Sequence, residues 1–238
     1  MIDVYRGKMH AEKNLLYYAL FVLFFPHISS GPIARAEQLL PQFSEPKDFN
    51  FEGVRSGILM MLWGFFLKLV LANRIAVFVD AVYADYECYH GWYTIVAILL
   101  YSLQIYCDLY GYTMITAGTA KIFGITLAEN FHAPYLNISV ADFWRNWHIT
   151  LTTWFKDYLY IPLGGSRKGT FRKYINKMTI FLVSGLWHGV SFGFLVWGGL
   201  NGAYQIAEEI ADPVIKKVPA FVRVANHIWW SSCSPGKS

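Results

Sequence analysis

The chain has 238 residues, of which 55% are hydrophobic, 18% aromatic and only 15% charged, with a formal charge of +4. An average soluble domain carries about 25% charged residues, so this composition, with its long apolar runs, argues against a soluble domain and for an integral membrane protein. The basic residues gather at Arg167, Lys168, Arg172, Lys173 and Lys177, without the basic stripe or binding motif that a nucleic-acid partner requires.

In chain order, residues 1–10 are polar, and the first apolar run covers Leu15 to Ile28. It is short for a span and is broken by Gly31 and Pro32. A polar connection follows from Ala36 to Gly53. Residues 57–79 form the clearest span, interrupted by Lys68, Asn73 and Arg74. Lys68 is expected either to face a polar interior or to mark a break between two short helices. Residues 92–123 form a second long run. Its later half carries Asp108, Thr113, Thr116 and Thr119 with Gly111 and Gly118, small and polar residues suited to helix contacts in lipid. Asp108 is expected either at a polar helix contact or as a surface cap.

Residues 139–163 mix charges with aromatics and read as an amphipathic helix, started by a Ser139 to Asp142 cap and ended by Pro162 and Gly164. The run of 179–203 is apolar and glycine-rich, with His188 in its middle. The basic segment before it reads as a cytoplasmic loop. The cysteines Cys88, Cys107 and Cys233 are scattered, and no metal-ligand spacing, GxSxG elbow or phosphate loop is present. From residue types alone, the candidate chemistry rests on the histidines. An imidazole takes and returns a proton near neutral pH; the alternative is a hydrogen-bonded structural histidine. A channel or transporter would also use Asp108, Lys68 and His188 in a polar pathway, but no internal repeat supports that reading.

Several motifs carry a family resemblance. The run from Asp142 to Leu151, with FWRNWH at Phe143 to His148, resembles the FWRxWH signature of the membrane-bound O-acyltransferases. WFKDYLYIPLGG (Trp154 to Gly165) resembles the continuation in the alginate O-acetyltransferase branch. LWHG (Leu186 to Gly189) resembles the family's other histidine motif. IDVYRGK (Ile2 to Lys8), the Phe24 to Phe43 stretch, YCDLYGYT (Tyr106 to Thr113) and ENFHAPY (Glu129 to Tyr135) occur in the family's order as well.

This resemblance implies an all-α, polytopic membrane bundle with re-entrant and interfacial helices around a tunnel, in the cell inner or plasma membrane. It places the catalytic histidine at His188 and the second one at His148. Asp108, Trp144, Arg145, Asn146, Trp147 and Trp187 would line or support the tunnel. Asn146 stands where the branch often has Arg, and the branch's usual second acid after Tyr112 is absent. The implied reaction moves an acetyl group from acetyl-CoA, as a donor substrate and not a tightly bound cofactor, toward a hydroxyl of an exported or cell-surface polysaccharide. No metal is implied. The implied partners are membrane lipids and a separate exported acyltransferase. A sister branch implies D-alanyl transfer toward teichoic acid, against which the YLYIPLGG run speaks. Family members are longer, so the chain is expected to be one incomplete membrane domain over 1–230 with a disordered tail over 231–238; an inactive truncated copy is the other reading.

Overall fold

A computed structural model describes residues 2–28 and 31–215, the side chains only to residue 212. The expected tail over 231–238 and the end of the expected domain lie outside these residues. Among the described residues the chain is helical and has no strand. In order, the helices are α1 (Ile2–Tyr5), α2 (Leu15–Leu23), α3 (Phe25–Ile28), α4 (Ala36–Ser44), α5 (Phe51–Phe65), α6 (Asn73–Ala84), α7 (Trp92–Ile122), α8 (Val140–Asn146), α9 (Ile149–Phe155), α10 (Thr170–His188) and α11 (Phe192–Ile215). Two π-helical segments, Phe66–Ala72 and Lys156–Tyr160, join α5 to α6 and extend α9. The chain divides into two compact units. Of the described residues, the first comprises 2–28, 31–134 and 144–154, and the second comprises 135–143 and 155–215.

In the first unit, α5 and α7 pack antiparallel on two pairs of glycines. A Cβ on Gly57 would lie 2.6 Å from the Gly118 carbonyl oxygen, and one on Gly118 would lie 2.5 Å from the Gly57 oxygen. Seven residues along each helix, Gly64 and Gly111 repeat the arrangement at 2.6 and 2.9 Å. Small residues allow this approach, and close backbone packing is the main source of helix affinity where lipid gives no hydrophobic drive. The threonines of α7 satisfy themselves locally: Thr113, Thr116 and Thr119 donate to the carbonyls of Leu109, Thr113 and Ile115. The glycines of this stretch make the close helix contact; the hydroxyls bond within the helix, and that of Thr119 also reaches Met61 Sδ of α5 at 3.6 Å.

The passage from α5 to α6 shows no break. The backbone stays helical at Phe66 and Asn73 and only widens to π geometry between them. Of the two outcomes open for Lys68, the structure has the polar contact, with Asp108, and not a pair of separate helices. Among the described helices, α7 is the one long and apolar enough on its own to cross a membrane. Large apolar side chains such as Leu59, Leu62, Leu69, Val77 and Leu99 point outward, a surface that water would penalise.

α2 and α4, with Ile125, cover one end of α7. Phe24, Leu39, Ala120 and Ile125 form a small buried cluster between α2, α4 and α7. The Gln42 side-chain amide closes it, accepting from Thr126 N at 2.8 Å and donating to Thr126 O at 3.1 Å.

In the second unit, α10 and α11 form an antiparallel hairpin, again on glycines. A Cβ on Gly185 would meet the Phe194 oxygen at 2.3 Å, and one on Gly198 would meet the Phe181 oxygen at 2.3 Å. At the polar end, outside the apolar 179–203 stretch, Glu209 accepts from both Lys173 and Lys177. Burial pushes the Glu209 carboxyl up, but the hydrogen bonds and charges of Lys173 and Lys177 outweigh it and hold it below the usual carboxylate range. Asn176, almost wholly buried, donates to the carbonyls of Gly165 (2.9 Å) and Leu163 (3.4 Å). It thereby fixes a turn that needs glycine: φ is +104° at Gly164 and +55° at Gly165.

The start of α8 is doubly capped. Ser139 Oγ accepts from Asp142 N at 2.9 Å, the cap anticipated from the spacing. Glu208 adds a carboxylate that accepts from Val140 N and Ala141 N, both at 3.0 Å, favourable at the positive end of a helix.

Candidate functional site

The single amphipathic helix expected over 139–163 is in fact two helices, the second continued by a π segment. The chain leaves α8 at Asn146, turns at His148 and enters α9 at Ile149. His148 has φ of +44°, an uncommon state for a residue with a side chain, and such outliers gather where geometry serves function. The surroundings enforce it. Ile149 N donates to the Asn130 carbonyl at 2.8 Å, and His132 N donates to the Asn146 carbonyl at 3.0 Å. Asn130 is buried, and its Oδ1 accepts from Thr150 Oγ1 at 2.9 Å and Thr150 N at 3.2 Å. Thr150 Oγ1 in turn accepts from Ile33 N at 3.0 Å, tying the loop after α3 to the first turn of α9.

Pinned in this way, His148 sits at the edge of an aromatic cluster. Its ring centroid is 6.0 Å from that of Phe131. Phe131 meets Trp147 edge-on at 5.1 Å, and Tyr106 and Tyr110 of α7 at 6.0 and 5.9 Å. Tyr106 and Tyr110 stack on one another at 5.4 Å, as i, i+4 neighbours on one helix face. Of the expected support residues, Trp147 belongs to this cluster, Trp144 and Asn146 are half-buried beside it in sequence, and Arg145 is exposed. Asp108 lies on the same stretch of α7 and pairs with Lys68.

His188 belongs to the second unit, and its position differs from the one expected. The apolar 179–203 stretch is not one helix with a histidine in its middle. It is two helices joined at Gly189–Ser191, and His188 is the last residue of α10. Gly189 leaves the helix in an extended conformation, and Ser191 N donates to its carbonyl at 2.9 Å. Composition hides this turn, because the residues on both sides are equally apolar. The imidazole is exposed and ringed by aromatics: Trp187 at 5.0 Å, Trp197 at 5.4 Å and Phe194 stacked at 6.1 Å. Trp187 also meets Phe155 edge-on at 6.4 Å. A Cβ at Gly189 would strike the Phe194 ring at 2.6 Å, so glycine lets that ring close on the histidine.

The residues that sequence reasoning missed are therefore mostly aromatic: Tyr106, Tyr110 and Phe131 around His148, and Phe194 and Trp197 around His188. Their spacing, i, i+4 in Tyr106 and Tyr110 and i, i+3 in Phe194 and Trp197, was the available signal.

An exposed imidazole at a helix end, among aromatic rings, sets a proton-accepting nitrogen beside an apolar surface. The comparisons with known proteins give that chemistry a context. Residues 10–231 match the MBOAT family, described as the membrane-bound O-acyltransferase family. The chain belongs to the membrane-bound O-acyltransferases. It is 39% identical over 210 residues, 87% of this chain, to the protein named "Probable alginate O-acetylase AlgI" of Pseudomonas putida. It is 38% identical over 227 residues, 90% of this chain, to the peptidoglycan O-acetyltransferase of Helicobacter pylori. The teichoic acid D-alanyltransferase of Bacillus subtilis is 30% identical over 205 residues, 78% of this chain. The chain spans 42%, 42% and 48% of these three relatives' own lengths. As a member of this family it is a membrane protein.

Proposed function

We propose that the whole protein is a multi-pass O-acetyltransferase that moves an acetyl group from cytoplasmic acetyl-CoA toward a sugar hydroxyl of an exported or cell-surface glycan. The observation that carries the reading is His188, held at the end of α10 among Trp187, Phe194 and Trp197, in a chain of this acyltransferase family. The relatives named as O-acetylase and O-acetyltransferase support the acetyl group.

In this mechanism His188 is the general base. A free imidazole nitrogen takes the proton as the acceptor hydroxyl attacks the thioester carbonyl. The new C–O bond forms, the carbonyl oxygen carries negative charge, and the C–S bond then breaks. The thiolate leaves and takes a proton, from His188 directly or by water, so the histidine ends neutral. His148, aimed by its left-handed backbone, orients a substrate or assists that transfer. Trp144, Arg145, Asn146, Trp147 and Asp108 support His148, and Trp187 supports His188. An exported acyltransferase would receive the acetyl group where the final acceptor lies outside the cell. In this reading the whole protein crosses the bilayer several times, and its spans shield the reaction from lipid.

The test is donor use by the complete protein in membrane vesicles. Acetyl-labelled acetyl-CoA supplied at the cytoplasmic face should place label in glycan ester. Incorporation of D-alanine from a charged carrier protein, with none from acetyl-CoA, would replace this reading with that of the teichoic acid branch. Equal label in vesicles lacking the protein would reject both.

A further inference from the structure

Lys68 is an ammonium in an otherwise apolar helical passage, and none of the motifs gives it a role. It stands in the π-helical segment Phe66–Ala72. A π segment widens the helix and redirects its side chains, and such segments recur at functional sites. Lys68 Nζ pairs with the Asp108 carboxylate and lies 4.8 Å from the centroid of the Tyr112 ring. The backbones are close here as well: a Cβ on Gly111 would lie 3.1 Å from Lys68 N.

The flanks of Lys68 reach the His148 site. Leu67 and Ala72 are buried with Cys107, and Leu71, Tyr106 and Tyr110 pack on that cluster. Tyr106 and Tyr110 both touch Phe131, which in turn faces His148. A slip of the π segment along α7 would thus move the floor of the site. It would also pull Lys68 from Asp108, and an ion left without its partner at membrane depth is costly.

We infer that Lys68 is a positioning residue for His148: its ion pair with Asp108 locks the π segment against the turn of α7 that carries Tyr106 and Tyr110. The inference rests on the acyl-transfer reading above. It gives Asp108 a structural-electrostatic task in which its charge matters through Lys68 and not through contact with substrate.

The experiment uses the full-length protein in detergent, with folded yield, kcat and KM measured for each variant. Lys68→Met and Asp108→Asn should each cost about 100-fold in kcat, the scale of an ångström-sized misplacement, with KM for acetyl-CoA little changed. Lys68→Arg keeps the cation and should retain most turnover. The Lys68→Met/Asp108→Asn double variant leaves no unpaired ion and should be no worse than either single change, the signature of coupled residues. Full turnover by Lys68→Met overturns the inference. So does a loss that merely tracks folded yield across all four variants, or an inactive Asp108→Asn beside an active Lys68→Met. Full activity of His148→Ala and His188→Ala would instead sink the acyl-transfer reading and leave the ion pair a packing feature.

Discussion

Gly64→Ala adds one methyl group where α5 and α7 pack on facing glycines. The new Cβ would lie 2.6 Å from the Gly111 carbonyl oxygen, 2.8 Å from Ile115 Cγ1 and 2.9 Å from Ile115 N. Two of these atoms are helical backbone and cannot swing aside, so α5 must move from α7 by most of an ångström. Alanine gains about 1 kcal/mol of intrinsic helix propensity over glycine. Against that, overpacking costs about 1–3 kcal/mol, and a gap of that width forfeits a quarter to a half of each dispersion contact along the seam. The clash wins, for a net loss of about 1–2 kcal/mol. Gly53→Ala is the control on the same helix. Its Cβ meets only the Asn50 side chain, at 3.4 Å or more, so it should be neutral or stabilising by up to ~1 kcal/mol. The assay is reversible unfolding of the full-length protein in mixed micelles, comparing midpoints. A Gly64→Ala protein as stable as wild type, or a Gly53→Ala protein damaged as much, would refute the packing argument.

Further outcomes follow from other contacts. Asn176→Ala should lose about 1–3 kcal/mol by leaving the Gly165 and Leu163 carbonyls unpaired, read as faster proteolysis in the Gly164 to Gly169 turn. The Glu209 carboxyl is held below its usual range, so its pairing with Lys173 and Lys177 stabilises the hairpin above that range. This share is lost as pH falls through the lowered value, and Glu209→Gln should flatten the acid limb of the stability profile. A cysteine at Gly169, in the basic turn, should be labelled by an impermeant reagent only when the inner face is open; labelling in intact cells would reverse the topology.

Much of the packing was legible because it is written in local chemistry. Gly111 and Gly118 announced a close helix contact, and Ser139 with Asp142 announced a helix start. What stayed hidden depends on partners far along the chain. Glu208 caps a helix that begins almost seventy residues earlier, and no local pattern encodes that. The π segment around Lys68 packs against Cys107 and Asp108 of α7, partners some forty residues away that the sequence of Phe66–Ala72 does not contain. The turn after His188 escaped because hydropathy measures apolar content and is blind to a bend between two apolar helices. The left-handed His148 escaped for a related reason: it is imposed by Asn130 and by hydrogen bonds from neighbouring segments.

The central claim, that His188 is the base, is tested most directly by His188→Gln in the complete protein, with ester content per sugar as the readout. Glutamine keeps a hydrogen-bonding group at the end of α10 but cannot accept a proton at neutral pH. Loss of a positioned base should lower the rate about 100-fold to 10,000-fold, nearly as far as His188→Ala, with membrane insertion and yield unchanged. Full acetylation by the His188→Gln protein would contradict the account.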